Sequence, residues 1–183
     1  MNDEKTAGLK RHSEEVHKLV KDSLQTALLQ LMKTKPYEAI TVSELCRRAG
    51  VSRMAFYGNY AEKSDIIKQV VSDLYKKMAL ELGSPFHRTT DKKWYVAFFR
   101  FIRDRADLLS LLFDAGLHGE YLAAVNELVL RNPAVPTAKR YQRLLWSGGI
   151  ENAAAHWLRG GMKESEEEMA EICLSTLIPW SFS

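Results

Sequence analysis

Apolar side chains in this chain recur every three to four residues, and nowhere do they alternate with polar ones over the length of a strand. That period buries one face of successive helices and offers a sheet nothing to use. In the first segment Val16, Leu19, Val20, Leu24, Ala27, Leu28, Leu31 and Met32 trace one helical face. The segment stops before Pro36, which disfavours helix at Lys35. The same reading predicts helices over about 43–48, 53–59, 63–83, 91–104, 106–114, 117–131, 137–159 and 165–178. The expectation is an all-α chain of about nine helices.

Helix punctuation supports these limits. Thr41-Val42-Ser43-Glu44 reads as a capping box, in which the hydroxyl accepts from an orphan amide and the carboxylate reaches back. Gly50 suits a left-handed turn, and Ser52 caps the next helix. Gly83-Ser84-Pro85 is the clearest internal boundary, Gly160-Gly161 a terminator, and Ser165-x-x-Glu168 a second capping box before a last helix that stops ahead of Pro179. The expected organisation is an N-terminal three-helix domain over 1–63, a connecting helix over 63–83, and a C-terminal helical domain over 84–183.

Composition excludes several classes. In 183 residues, 46% apolar and 27% charged, there is enough apolar surface for a core and too little net charge for disorder. No apolar run approaches the ~18 residues of a membrane span. The charged Met1-Asn2-Asp3-Glu4-Lys5 start lacks the apolar stretch of a secretory signal. Cys46 and Cys173 are far apart, and five scattered histidines (12, 17, 87, 118, 156) show no ligand spacing, so neither a disulfide framework nor a metal site is expected. The expectation is a cytoplasmic protein without a cofactor. Nucleophile elbows, metalloprotease helices and phosphate-binding glycine loops are missing from the sequence, so an enzyme is not expected.

The net charge of +3 is unevenly placed: residues 1–63 hold 11 Lys and Arg against 8 Asp and Glu, whereas 64–183 hold 15 of each. The basic end also holds the informative stretch, Ile40 to Ile67, which is a capped short helix, a glycine turn and a second short helix. This is the helix-turn-helix pattern, whose second helix enters the major groove of DNA. Val51 and Phe56 suit its inward side. Arg53 is placed to bond guanine O6 and N7, and Tyr57 to reach a phosphate or a thymine methyl. Thr41 and Ser52, at helix N-termini, and Lys63 are placed to meet phosphates. Met54, Asn59 and Tyr60 complete the candidate DNA-facing set. Arg47 and Arg48 read as solvated helix face.

The run from Thr41 to Lys63, with Ala49-Gly50-Val51-Ser52 at its turn and Phe56-Tyr57 in its second helix, resembles the DNA-binding signature of the TetR family of bacterial regulators. The C-terminal residues Tyr141, Trp146, Gly148-Gly149-Ile150, Trp157-Leu158 and Gly161 to Ser165 resemble a Firmicutes subgroup that includes an activator acting with dihydroxyacetone-kinase components. Ala55 stands where the family usually has Thr or Ser. Cys46 replaces a small Ala, Gly58 lacks a side chain often used at DNA, and Glu62 stands at an expected Ser or Thr cap. The resemblance implies a homodimeric transcriptional regulator, of repressor type, binding a palindromic operator in double-stranded DNA through helix 53–59. It further implies a small, largely apolar effector in the C-terminal domain.

Trp94, Phe98, Phe113, Tyr121 and Trp146 are the candidate effector-binding residues, against a plain reading as core aromatics. Helices 137–159 and 165–178 are the expected dimer interface, with Gly148-Gly149 and Ala153-Ala154-Ala155 allowing close approach. The alternative function is a co-activator or protein-binding module on the same fold, its DNA binding weakened at Met54, Ala55 and Gly58.

Overall fold

The structure, a computed structural model, describes residues 2–83 and 91–177, without side chains at 2–7, 9, 10 and 177. The expected boundary at Ser84-Pro85 and the stop at Pro179 lie outside these residues. Among the described residues the protein is all-α: α1 Asn2–Met32, a 3-10 turn Tyr37–Ala39, α2 Val42–Ala49, α3 Arg53–Tyr57, α4 Lys63–Leu82, α5 Lys92–Arg103, α6 Ala106–Asp114, α7 His118–Leu130, α8 Thr137–Arg159 and α9 Glu166–Leu177. No strand occurs among them. The chain divides into two compact units, residues 1–70 and 71–183, and the division falls inside α4.

In the first unit α1 packs on α2 and α3. Leu24, Leu28, Leu45, Phe56, Ile66 and Ile67 are fully buried, and each such side chain contributes ~1.5–3 kcal/mol of transfer free energy. The apolar stripe of α1 is only partly covered, because Val16 and Leu19 are exposed. The helix continues N-terminally to Asn2, beyond that stripe. In the second unit α5 packs on α9 and α7 on α8, around Tyr95, Phe98, Phe99, Leu109, Leu112 and Ile150. Arg103 Nε donates to Glu166 Oε1 at 2.7 Å, tying α5 to α9. No single described helix is long and apolar enough to cross a membrane. Helices α6 and α7 reach that length and composition only together, bent by 117°.

The punctuation acts as expected. Glu44 N–H donates to Thr41 Oγ1 at 3.2 Å and Ala55 N–H to Ser52 Oγ at 3.0 Å. Ser165 and Glu168 exchange both capping bonds, at 2.7 and 3.2 Å. Gly50 ends α2 at φ 67°, letting Val51 N–H reach back to the Cys46 carbonyl at 3.0 Å. At the start of α4 the missing Ser or Thr cap is replaced from within the helix. Asp65 Oδ2 accepts from the backbone N–H of both Ala61 and Glu62, at 3.0 and 3.1 Å. Those amides, with the Lys68 side chain, hold the Asp65 carboxyl below its ordinary range.

Candidate nucleic-acid interface and effector cavity

The turn and caps dictate the pose of α3. With Gly50 turning the chain and Ser52 satisfying an orphan amide, five residues suffice for a helix that could not stand alone. Phe56 is its inward anchor at 0% exposure, with the Tyr57 ring set edge-on at 5.1 Å between centroids. The outward side presents Arg53, Met54 and Tyr57. Met54 is 83% and Tyr57 54% exposed. Arg53 is exposed. An exposed methionine and tyrosine beside an arginine give a surface with apolar contact area and one fork of donors, which suits base edges and thymine methyls.

The other expected residues occupy different positions. Tyr60 lies in the core of the first unit, 6% exposed, with its ring 6.2 Å from that of Phe56. Asn59 is half-buried; its amide donates to the Ala55 carbonyl at 2.8 Å, and its Oδ1 meets His17 Nδ1 at 2.9 Å. Lys63 turns inward as well. Its Nζ donates to the carbonyls of Tyr37 and Ile40, at 2.5 and 2.9 Å, and stands 3.9 Å from the Tyr37 ring centre. Burial lowers the Lys63 pKa, against the opposing pull of Glu38. Thus Lys63 ties α4 to the segment preceding α2. Thr41 and Ser52 are exposed, but their hydroxyl oxygens already accept capping bonds.

The second unit contains a cavity of about 470 Å³. Three of the five aromatic candidates, Trp94, Phe98 and Trp146, line it, with Met78 and Ile150 among the aliphatic walls. The Trp94 and Phe98 rings stack 5.3 Å apart. Trp146 Nε1 donates to Tyr95 Oη at 2.9 Å, which fixes the indole. Phe113 and Tyr121 are not in the wall. The Phe113 ring packs edge-on against Tyr121 at 5.4 Å, and Tyr121 is 2% exposed. Lys76 and Arg131 also line the cavity, a basic contribution that the sequence did not reveal because α4 and the end of α7 are distant in the chain.

The sequence reading also missed Glu151, in the cavity wall at 3% exposure. Its Oε1 accepts from the Tyr75 hydroxyl at 2.5 Å and its Oε2 from the Tyr121 hydroxyl at 2.8 Å. Burial raises its pKa, while the two hydroxyl bonds pull it down. Both tyrosines are themselves pushed well above their ordinary values, first by burial and then by the Glu151 charge, so they remain donors. A signal was present: Ser147, Ile150, Glu151 and Ala154 share one helical face, and a carboxylate in an apolar stripe marks a buried charge.

On the outer side of α8, Tyr141, Leu145, Gly149, Asn152 and His156 form an exposed row at helical spacing, with Tyr141 65% and Leu145 70% exposed. Ile172 of α9 is 50% exposed. Ala154 and Ala155, expected to allow close approach by another helix, instead pack into the core of their own chain. Among the described residues no cluster of three His, Cys, Asp or Glu could hold a metal ion.

Residues 25–70 match the model of the family described as bacterial regulatory proteins, tetR family. The helix-turn-helix segment is thereby of the TetR type. No curated protein matches the sequence. Among solved structures the chain is similar to a TetR transcriptional regulator from Streptococcus agalactiae 2603V. The TM-score is 0.58 at 15% identity, over 92% of this chain and 98% of that one. It is also similar to the dihydroxyacetone kinase operon activator DhaS. Here the TM-score is 0.52 at 14% identity, over 87% of this chain and 94% of that one. These likenesses show a shared fold.

Proposed function

We propose that this chain, whose residues 25–70 are those of a TetR-type domain, is a homodimeric, ligand-responsive transcriptional repressor. The observation that carries the reading is α3 itself, which is anchored by a fully buried Phe56 and turns Arg53, Met54 and Tyr57 to solvent. Residues 1–63 bind DNA, helix 63–83 connects and adds Tyr75, Lys76, Met78 and Ala79 to the cavity wall, and 84–183 supply the rest of the effector site and the surface for the second subunit. Arg53 reads a guanine, while Tyr57 and Met54 contribute apolar or phosphate contacts. Thr41 and Ser52 lie at the edge of that surface. Lys63, Asn59 and Tyr60 position α3 instead of touching DNA. The exposed row on α8 and Ile172 on α9 supply a self-complementary patch for a two-fold dimer.

An effector in the 470 Å³ cavity acts by binding one arrangement of the dimer more tightly than another, which shifts the spacing of the two α3 helices. Helix α4 is continuous from Lys63 to Leu82. It holds the segment before α2 through Lys63 and lines the cavity with Tyr75 and Met78.

Purified protein should retard the DNA upstream of its own gene, with affinity falling steeply as salt rises. Weak and equal binding to every sequence would oppose the reading. It would favour a co-activator acting through protein contacts, a second reading supported by the few base-reading donors on α3 and by the fold shared with an operon activator.

A further inference from the structure

We infer that the cavity takes a largely apolar organic cation, a protonated or quaternary amine on an aromatic or aliphatic body, with its charge set against the Glu151 carboxylate. The inference rests on the reading of this cavity as the effector site.

Glu151 is a buried acid with a specific deficit. Its two bonds come from the neutral hydroxyls of Tyr75 and Tyr121. Among the described residues no Lys, Arg or His is paired with it. A charge held away from water without a counter-charge is costly, and two hydroxyl donors offset only part of that cost. An ionised carboxylate has about four lone-pair positions, and the tyrosines fill two of them. The remainder belongs to a group that itself lines an open volume.

The other walls fit the same ligand. Trp94, Phe98 and Trp146 line the volume, and aromatic faces attract cations as well as apolar bodies. An anionic ligand would set a second negative charge near Glu151, and a neutral one would leave the first uncompensated. The cationic wall residues do not reverse this preference. Lys76 is exposed and paired with Asp73 at 3.0 Å, and Arg131 is exposed. Solvated charges of that kind are screened within roughly 8 Å at physiological salt, whereas a buried carboxylate is not.

Isothermal titration calorimetry on the full chain tests this with three probes of one shape: phenylbutylamine, phenylbutanol and phenylbutyrate. The amine should bind at least about tenfold more tightly than the alcohol, and the carboxylate most weakly. In Glu151→Gln the preference for the amine should vanish, with the fold verified by circular dichroism. Ala79→Trp, an exposed wall position, should weaken all three by filling the volume. Equal binding of amine and alcohol to the unaltered protein, or an amine preference that survives Glu151→Gln, overturns the inference and leaves the cavity reading standing. Failure of all three probes to bind the unaltered protein overturns the cavity reading and the inference together.

Discussion

The two candidate sites solve opposite problems with similar residues. On α3 an arginine, a methionine and a tyrosine face solvent, and a buried phenylalanine is the only large side chain of the helix that is spent on stability. Around Glu151 the aromatic residues are turned inward, and the buried carboxyl is removed from water and held by two hydroxyls, while the cationic wall residues Lys76 and Arg131 stay solvated. The difference teaches where each site stores its specificity. The α3 face relies on a rigid pose beneath solvated groups, so its exposed side chains can be changed with little loss of stability. The cavity relies on desolvation, so changing its charged group alters stability and recognition together.

The largest expected effect separates pose from contact on α3. Phe56→Ala should cost roughly 3–5 kcal/mol of stability and abolish DNA binding, as read by thermal melting and gel retardation. Tyr57→Ala should change stability by only about 0.5 kcal/mol while weakening DNA binding. Equal loss of stability in both variants would erase the distinction.

Next comes Lys63, whose ammonium is committed to two carbonyls. Lys63→Met should cost roughly 1–3 kcal/mol of stability and leave the salt dependence of DNA binding unchanged. A salt slope reduced by about one would instead mark a phosphate contact.

The smallest effect is a pH dependence of the cavity. The folded Glu151 pKa lies above its ordinary value of 4.5. A raised acid binds its proton more tightly when folded, so its stabilising contribution is complete below that value and is lost as pH rises through the folded one. Glu44, Asp65, Glu166 and Glu168 are lowered and act in the opposite sense, losing stability as pH falls. Comparing melting temperatures of the unaltered protein and Glu151→Gln isolates the first effect. The unaltered protein should lose ground to the variant as pH rises above 4.5; a difference independent of pH would contradict the buried-charge account.

The helices were legible because each carries its own punctuation: capping residues, a left-handed glycine and a 3.6-residue stripe all lie within a few positions of one another. The outward placement of Arg53, Met54 and Tyr57 was legible for the same reason, since a five-residue helix anchored by Phe56 leaves few ways to face outward. Tyr60 and Lys63 were read as DNA-facing because a sequence shows the reach of a side chain but not a competing partner, here the core and the Tyr37 and Ile40 carbonyls. Trp94, Phe98 and Trp146 could be named as aromatic candidates, yet what separates them from Phe113 is a void formed by α4, α5, α7 and α8. Glu151 shows this limit most clearly. Its two hydroxyl partners lie 76 and 30 residues away, and no local pattern brings them together.

Selection of bound duplexes from a random pool by the purified full-length protein tests the central claim most directly. The account predicts an enriched two-fold symmetric site whose half-site centres lie about one helical turn apart, roughly 10–10.5 base pairs or a multiple of it. It also predicts loss of discrimination at one guanine per half-site in Arg53→Ala. A pool that enriches no sequence, or an Arg53→Ala protein that enriches the same site equally well, would contradict it.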